Sequence, residues 1–349
     1  MKKNKIKFQF LTAIFFLLFF FSCRKDKPQQ ATQAVSISNR GGVYIINEGN
    51  FQFGNAKVSY YDFATGNVAE DLFQPANHAA LGDVCQSISS FNNKIYLVMN
   101  NSQKIVVVNP VTFMQSAVIN GFGSPRYFLP VSNNKAYVTD LYADVISIVD
   151  LNTNSISGTI PLKGWTEQLL QVYGEVFVCN KNADKLFVIN AASDKISDSI
   201  NIGYGANSIQ EDKNGKLWIL CNGDSTKNIH ASLSRINPIS HQVEQNFSFA
   251  DKHDFPLRLK LNGNNDILYF INGSIYKMNI ADNNLPSNSF VAKDTHNFYG
   301  IGVNPVNGDL YAADAIDYVQ RGMVYRYDVN GNLITSFLAG IIPSDFYFN

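Results

Sequence analysis

A strand pattern recurs seven times along this chain of 349 residues, and that repeat limits the folds open to it. Its clearest copy is KAYVTDLYADVISIVDLNTNSISGTIPL at 135–162, which reads as three short strands separated by Asp-, Asn- and Thr-rich turns. A three-stranded meander with one apolar face cannot bury that face alone, so it needs neighbours of its own kind. The first strands of the seven copies begin at Val43, Ile95, Ala136, Val176, Leu217, Leu268 and Leu310.

A further strand lies between successive copies, preceded by Pro or Gly and followed by an Asn-rich pair. Examples are SPRYFLPVSNNK, ANSIQEDKNGK, FPLRLKLNGNND and YGIGVNPVNGD. The second strand of each copy also ends in Asp or Asn, which is turn chemistry at a fixed offset. Four strands in about forty residues is the period of a propeller blade, whereas solenoid coils are shorter and sandwiches keep no such register. The sequence therefore predicts an all-β, seven-bladed β-propeller.

The two ends of the repeat array predict how the ring closes. The array opens at residues 42–47 with the second strand of a blade, so the first blade still needs an innermost strand. The last residues, 340–348, match the innermost-strand position of other copies, such as 123–128. We therefore predict that the C-terminal strand pairs with the first blade, which removes two open sheet edges.

The first forty residues do not follow the repeat. Residues 1–7 carry four lysines, and the apolar run at 8–21 is too short for a spanning helix. Cys23 follows a small residue at the end of that run, as in a lipoprotein signal, although Phe20 stands where the usual pattern has Leu. We expect a signal peptide at 1–22, a lipidated Cys23 with a flexible tether at 23–40, and the propeller at 41–349.

The charge and the motif content of the chain reduce the number of function classes to consider. Without the four lysines of the signal, 24 basic residues face 28 acidic ones, and no basic run suggests nucleic acid as a partner. We interpret Cys85, Cys179 and Cys221 as buried small apolar residues, and no Cys/His spacing predicts a metal site. Neither G-x-S-x-G nor H-E-x-x-H occurs, so we do not expect an enzyme or a cofactor.

The repeat also carries a family resemblance. Residues 136–140, AYVTD, resemble YVTN-type repeats, and the order of the copies resembles YncE-like surface-layer propellers. The blocks NEGN at 47–50, SYYD at 59–62, LGDV at 81–84 and SPRY at 124–127 are similar to those of propeller lipoproteins of Bacteroidetes-type bacteria. That group includes the BtuG-type vitamin B12 capture proteins. The resemblance implies a surface-exposed outer-membrane lipoprotein that binds cobalamin and passes it to a TonB-dependent transporter.

Candidate binding residues lie in the loops at one end of the blades, where a rigid scaffold usually presents function. Aromatic faces with amide and guanidinium donors suit a flat, polar-edged small molecule. If the ligand is the corrinoid that the resemblance implies, Arg126 and Arg258 would hold its phosphate. The full set is Asn50, Phe51, Asn55, Asn101, Arg126, Tyr127, Tyr142, Trp165, Tyr204, Asn222, Phe255, Arg258 and Tyr299.

Two alternatives remain open from the sequence. The first is a metal-dependent hydrolase or lactonase, because propeller lactonases bind a divalent cation with central carboxylates and Asn, and Glu48 and Glu167 are the acids for that role. The second is a surface adhesin or protein-binding platform on the same scaffold.

Overall fold

The computed structural model describes residues 41–349, which form seven antiparallel β-sheets arranged in a ring. The first two blades contain β1 (Gly42–Asn47), β2 (Lys57–Asp62), β3 (Val68–Ala69), β4 (Cys85–Phe91), β5 (Lys94–Met99), β6 (Lys104–Val108) and β7 (Gln115–Asn120). The third and fourth contain β8 (Pro125–Ser132), β9 (Lys135–Asp140), β10 (Val145–Asp150), β11 (Ser155–Pro161), β12 (Thr166–Val172), β13 (Glu175–Asn180), β14 (Lys185–Asn190) and β15 (Lys195–Asn201).

The remaining blades complete the ring. They contain β16 (Ala206–Glu211), β17 (Leu217–Cys221), β18 (Ser232–Asn237), β19 (Gln242–Ser248), β20 (Leu257–Leu261), β21 (Ile267–Asn272), β22 (Ser274–Asn279), β23 (Phe298–Val303), β24 (Leu310–Asp314), β25 (Arg321–Tyr327) and β26 (Leu333–Ile341), with β27 (Pro343–Phe348) at the C-terminus. A short helix, α1 (Phe73–Asn77), follows β3, and a 3-10 turn covers Ser225–Lys227. The predicted seven-bladed propeller is confirmed.

The innermost strands of the blades are β27, β4, β8, β12, β16, β20 and β23, and each packs against the next around the ring. Blade 6 departs from the expected four strands, because its sheet contains only β20, β21 and β22. The segment that should form its outer strand makes an isolated bridge, Ile275 to Val291, instead. The run 281–289, ADNNLPSNS, is polar and contains Pro286, so it suits a loop better than a ladder strand.

The repeated aromatic residue forms the core of every blade. It occupies the second or third position of each second strand and is at most 2% exposed in all seven copies. Because alternate strand residues face opposite sides, each blade buries one set of side chains against the blade before it and the other set against the blade after it. Tyr96 of blade 2 thus stacks on Phe128 of blade 3 with ring centroids 4.3 Å apart. The seven residues are Tyr44, Tyr96, Tyr137, Phe177, Trp218, Tyr269 and Tyr311.

The Asp or Asn at the end of each third strand, or directly after it, makes the same turn in all seven blades. Its side-chain oxygen accepts a hydrogen bond from the backbone N–H two residues later, as Asp150 does from Asn152 at 2.8 Å. This bond satisfies a backbone donor at the point where the chain leaves the ladder. The predicted turn chemistry is confirmed at Asp62, Asn109, Asp150, Asn190, Asn237, Asn279 and Asp328.

The ring closes through the C-terminal strand, as predicted. β27 pairs antiparallel with β1, and Val43 faces Phe348 in the register. On its other side β27 lies against β23, where two glycines allow close approach. A Cβ added at Gly300 would lie 2.1 Å from the Ser344 carbonyl oxygen, and one at Gly302 would lie 2.6 Å from the Phe346 Cβ. The first blade is thus built from both ends of the propeller sequence.

Several expectations concern residues 1–40, which lie outside the described part of the chain. These are the signal peptide at 1–22, the lipidated Cys23 and the tether at 23–40. Within 41–349, no helix is long and apolar enough to cross a membrane. The three cysteines of this region, Cys85, Cys179 and Cys221, are buried free thiols, as expected.

Candidate functional site

Every innermost strand carries an irregularity near its start. The register between the innermost and second strands shifts there in all seven blades, so one extra residue lies on the inner strand. Such bulges leave a residue out of the ladder and re-aim its side chain. The second residue of each innermost strand falls in this bulge. Around the ring these residues are Gln86, Arg126, Glu167, Asn207, Arg258, Tyr299 and Ser344.

Six of these seven residues, all except Ser344, line a cavity of about 310 Å³ at the mouth of the ring. A second position contributes as well, namely the residue directly after the second strand: Glu48, Leu141, Lys181 and Asn222 occupy it in blades 1, 3, 4 and 5. All seven blades therefore supply side chains to one cavity on the ring axis. The complete lining is Glu48, Val84, Gln86, Arg126, Tyr127, Leu141, Trp165, Glu167, Lys181, Asn207, Ser208, Asn222, Phe255, Leu257, Arg258 and Tyr299.

Two arginines and two glutamates form the charged floor of the cavity. Arg126 donates to Glu167 Oε1 at 2.8 Å and also to the side-chain oxygen of Gln86. Arg258 lies 3.6 Å from the Glu48 carboxylate. Both acids are largely buried, Glu48 at 8% and Glu167 at 4% exposure, so each needs a cation nearby. The floor therefore already contains the counter-ions of both arginines.

Two tyrosines complete the floor around Arg258. Its guanidinium donates to the Tyr127 hydroxyl at 3.4 Å and to the Tyr299 backbone carbonyl at 3.3 Å. The Tyr299 hydroxyl donates to Glu48 Oε2 at 3.2 Å. Burial raises the pKa of Tyr127 to about 12, and burial also raises the pKa of Glu48 against the opposing pull of Arg258 and Arg126. Arg258 has a φ of +62°, a strained value for a non-glycine residue that the bulge accommodates.

A wall of stacked side chains separates this cavity from a second one. The Lys181 ammonium lies 4.1 Å from the ring centroid of Trp165 and 5.6 Å from that of Phe255. The same three residues and Asn222 also line an outer cavity of about 280 Å³ over blades 4 to 6. The Trp165–Lys181–Phe255 wall is thus shared by a central and an outer compartment.

Some buried polar atoms of the lining have no hydrogen-bond partner within the described chain. They are Nε of Arg126, Nε1 of Trp165 and Oδ1 of Asn222. Unpaired buried polar groups are costly and uncommon in folded proteins. A polar-edged molecule bound in this cavity would find these two donors and one acceptor unused within the described chain.

The structure brings together most of the residues singled out from the sequence. Arg126, Tyr127, Trp165, Asn222, Phe255, Arg258 and Tyr299 line the central cavity, and Tyr204 lines the outer one. The other five lie away from both cavities.

Three of those five make turn or loop contacts, and two are exposed at the rim. Asn50 and Asn55 bond to each other across the β1–β2 loop, with the Asn50 N–H donating to Asn55 Oδ1 at 2.8 Å. Asn101 donates to Asp83 Oδ2 at 2.5 Å. Phe51 and Tyr142 are 61% and 77% exposed. From the sequence alone, asparagines that stabilise loops and aromatic residues that are merely exposed cannot be told apart from residues of a binding face.

Sequence reasoning missed Gln86, Lys181 and Ser208 as lining residues, and named Glu48 and Glu167 only as acids of the hydrolase alternative. The alignment of the copies could have found most of them. Position two of each innermost strand and the first position after each second strand line the cavity repeatedly. Lys181 would have been the least visible, because nothing in its loop distinguishes it from other surface lysines. Among residues 41–349, no group of three or more His, Cys, Asp or Glu is placed to hold a metal ion.

Fold and site together define a seven-bladed β-propeller with a charged, aromatic-walled cavity on its axis. The chain belongs to the family described as a domain of unknown function, DUF5074, whose model matches residues 41–348. No curated protein is similar enough to match this chain.

Solved structures with a similar fold include three from Bacteroides species. A quinoprotein alcohol dehydrogenase-like protein of Bacteroides thetaiotaomicron is 15% identical with a TM-score of 0.69, covering 88% of this chain and 78% of that one. A candidate 6-phosphogluconolactonase of Bacteroides fragilis is 12% identical with a TM-score of 0.66, covering 90% and 99%. A second such protein, from Bacteroides uniformis, is 14% identical with a TM-score of 0.68, covering 89% and 100%. At these identities the likeness shows the fold alone.

Proposed function

We propose that this chain is a non-catalytic binding protein of the cell envelope that captures a small molecule at the mouth of the propeller. The central cavity carries the proposal, because all seven blades converge on it with aromatic walls and unpaired polar atoms. Its volume lies at the lower end of the range for ligand pockets, about 300–1,000 Å³. A flat molecule with polar edges matches this lining.

The charged residues of the cavity favour binding over catalysis. Glu167 lies 2.8 Å from Arg126, and Glu48 lies 3.6 Å from Arg258. A carboxylate that already faces a guanidinium cation is a poorer ligand for a metal cation than a free one. The acids that a hydrolase or lactonase would need are therefore engaged in holding the floor together.

Cobalamin is the specific ligand that we propose, on the strength of the resemblance to BtuG-type lipoproteins. A corrinoid is much larger than the central cavity alone, so it would lie across the mouth and contact both compartments. The Trp165–Lys181–Phe255 wall, at their boundary, would then meet the middle of the ligand. Lipidation of Cys23 would hold the propeller at the outer membrane, where a TonB-dependent transporter would receive the ligand.

Calorimetric titration of the mature, detergent-solubilised protein with cobalamin tests the proposal. Trp165→Leu should weaken binding, since loss of a stacked ring costs about 1–3 kcal/mol by analogy with base stacking, or roughly fivefold to over a hundredfold. Asn133→Ala is the matched control, because Asn133 is exposed in the β8–β9 turn at the other end of the blade. Asn133→Ala should bind cobalamin as the wild type does. If Trp165→Leu also binds as tightly as the wild type, the mouth is refuted as the binding face.

The titration of the wild type tests the identity of the ligand separately from the position of the site. If cobalamin gives no heat with the wild type, cobalamin is excluded as the ligand. Melting temperature and tryptophan fluorescence measured across a library of flat polar molecules then decide whether the mouth binds any of them. A complete lack of response would contradict the capture function itself.

A further inference from the structure

Lys181 differs from the other cations of the cavity in how it is held. Its backbone N–H donates to the Trp165 carbonyl at 2.8 Å, which fixes the residue directly after β13. Its ammonium lies between the rings of Trp165 and Phe255. Within the described chain, no carboxylate or hydrogen-bond acceptor contacts that ammonium. Aromatic faces attract the charge, but they leave the three N–H donors unused.

The other two cations of the central cavity already have acidic partners. On the floor, Arg126 is paired with Glu167 and Arg258 with Glu48. In the outer cavity, Asp224 is paired with Lys227 at 2.8 Å, and Asp254 accepts from Asn272 Nδ2 at 2.8 Å. Among the cations that line the central cavity, Lys181 is therefore the one that forms no ion pair within the described chain, and it lies at the boundary of both compartments.

The arginines are worse placed to take an anion from a ligand. Arg126 uses its terminal nitrogens on Glu167 and Gln86. Arg258 donates to Tyr127 and to the Tyr299 carbonyl. A ligand phosphate at either arginine would have to compete with bonds that exist already and would approach a buried glutamate. The Lys181 ammonium makes no hydrogen bond within the described chain that a ligand anion would have to displace.

Two unpaired atoms lie in residues that share both cavities with Lys181. Trp165 Nε1 is a donor and Asn222 Oδ1 is an acceptor, and both are buried without a partner. Burial lowers the pKa of Lys181. A bound anion would favour the charged form and remove that penalty.

We propose that Lys181 is the anion-binding residue of the mouth, and that the ligand carries a carboxylate or phosphate whose flat body lies against Trp165 or Phe255. This inference rests on the proposed capture function and names the chemical class of its ligand. The sequence analysis places the phosphate of a corrinoid at Arg126 and Arg258. The inference moves the anion to Lys181, the one cation of the central cavity that forms no ion pair within the described chain.

Three probes with the same flat body test the assignment: 2-naphthoate, 2-naphthyl phosphate and neutral 2-naphthamide. Dissociation constants are measured by ligand-detected NMR on the mature protein. The two anions should bind about tenfold or more tightly than the amide, as expected for one charge-assisted hydrogen bond. The better of the two anions shows whether a carboxylate or a phosphate is preferred.

Substitutions at Lys181 distinguish the contribution of its positive charge to binding from that of the packing of its side chain between the rings. Lys181→Met keeps an unbranched stem between the rings, so it should bind the anions only as well as the amide. Lys181→Arg should retain most of the preference for anions. Lys195→Met is the matched control, because Lys195 is exposed at the opposite end of blade 4, and it should change nothing. Added salt should weaken the anions but not the amide.

The outcomes distinguish a failure of the proposed role of Lys181 from a failure of the proposed capture function. Equal binding of all three probes, or an anion preference that survives in Lys181→Met, would overturn the role of Lys181 while the capture function stands. The same holds if cobalamin binds but none of the probes does. If the wild type binds neither cobalamin nor any probe, and no library molecule responds, the capture function fails with it.

Discussion

The substitution Gly300→Ala probes the seam where the ring closes. Gly300 lies in β23 of blade 7, and an added Cβ would be 2.1 Å from the Ser344 carbonyl oxygen and 2.5 Å from its carbon. Non-bonded heavy atoms prefer a separation of about 3.5 Å, so the two backbones would have to part by roughly 1 Å or more. β27 cannot easily move, because its other edge is hydrogen-bonded to β1.

The size of the effect follows from that geometry. Overpacking costs about 1–3 kcal/mol, and a clash with paired backbone belongs at the upper end, near 3 kcal/mol. The unfolding entropy is about 2.1 cal/mol/K per residue, so for roughly 300 residues this loss lowers the melting temperature by about 5 °C. Changing such a glycine to alanine also lowers the conformational entropy of the unfolded chain, which stabilises the folded state by about 0.4–1 kcal/mol.

Gly158→Ala is the matched control, because Gly158 is also in a strand and its added Cβ would meet only Ile148 Cδ1 at 3.5 Å, an ordinary contact. The unfolded-state gain is common to both variants, so the difference between their melting temperatures isolates the clash. Scanning calorimetry on both variants and the wild type gives that difference. If the two variants melt together, the close packing of β27 on β23 is wrong.

Two further predictions concern pH and membrane attachment. Burial opposes protonation of His241, but its hydrogen bonds to Asp198 at 2.6 Å and Glu175 at 2.9 Å outweigh it and raise the pKa of His241. The stability from the protonated form is therefore complete below the unfolded pKa and lost as pH rises, so His241→Gln should cost more at about pH 5.5 than at about pH 9 in urea unfolding. An equal cost at both would contradict it. Several acyl chains on Cys23 would hold the protein in the detergent phase, since stable anchoring needs more than one lipid chain. Cys23→Ser removes the attachment point, so the variant should leave the detergent phase. Unchanged partitioning would exclude lipidation.

The fold was predictable because its determinants are local and repeated. Each copy carries an aromatic core residue, such as Tyr137, and a turn residue, such as Asp150, at a constant offset. Seven repetitions make a chance pattern improbable and identify the architecture. Closure was predictable for the same reason, since the last segment matches a missing strand. The absence of an outer strand in blade 6 was not predicted, because the polar run that contains Pro286 interrupts the repeat only locally.

The site was only partly predictable, because it depends on contacts between distant copies. The position of Arg126 at the start of an innermost strand could be found by alignment. Its pairing with Glu167, 41 residues away in the next blade, could not. The same holds for Arg258, whose acid is Glu48 from the opposite end of the propeller sequence. The sequence shows which positions face the mouth, whereas charge balance appears only when the ring is closed.

The bulge at the start of each innermost strand explains why this scaffold can vary its site. A bulged residue makes no ladder bond, so its identity is free of the pairing that constrains its neighbours. Here that one position is occupied by Gln86, Arg126, Glu167, Asn207, Arg258, Tyr299 and Ser344. The core aromatics, by contrast, change only among Tyr, Phe and Trp. Substitutions at the bulges should therefore alter ligand binding with little effect on the blades, except where an arginine also neutralises a buried glutamate.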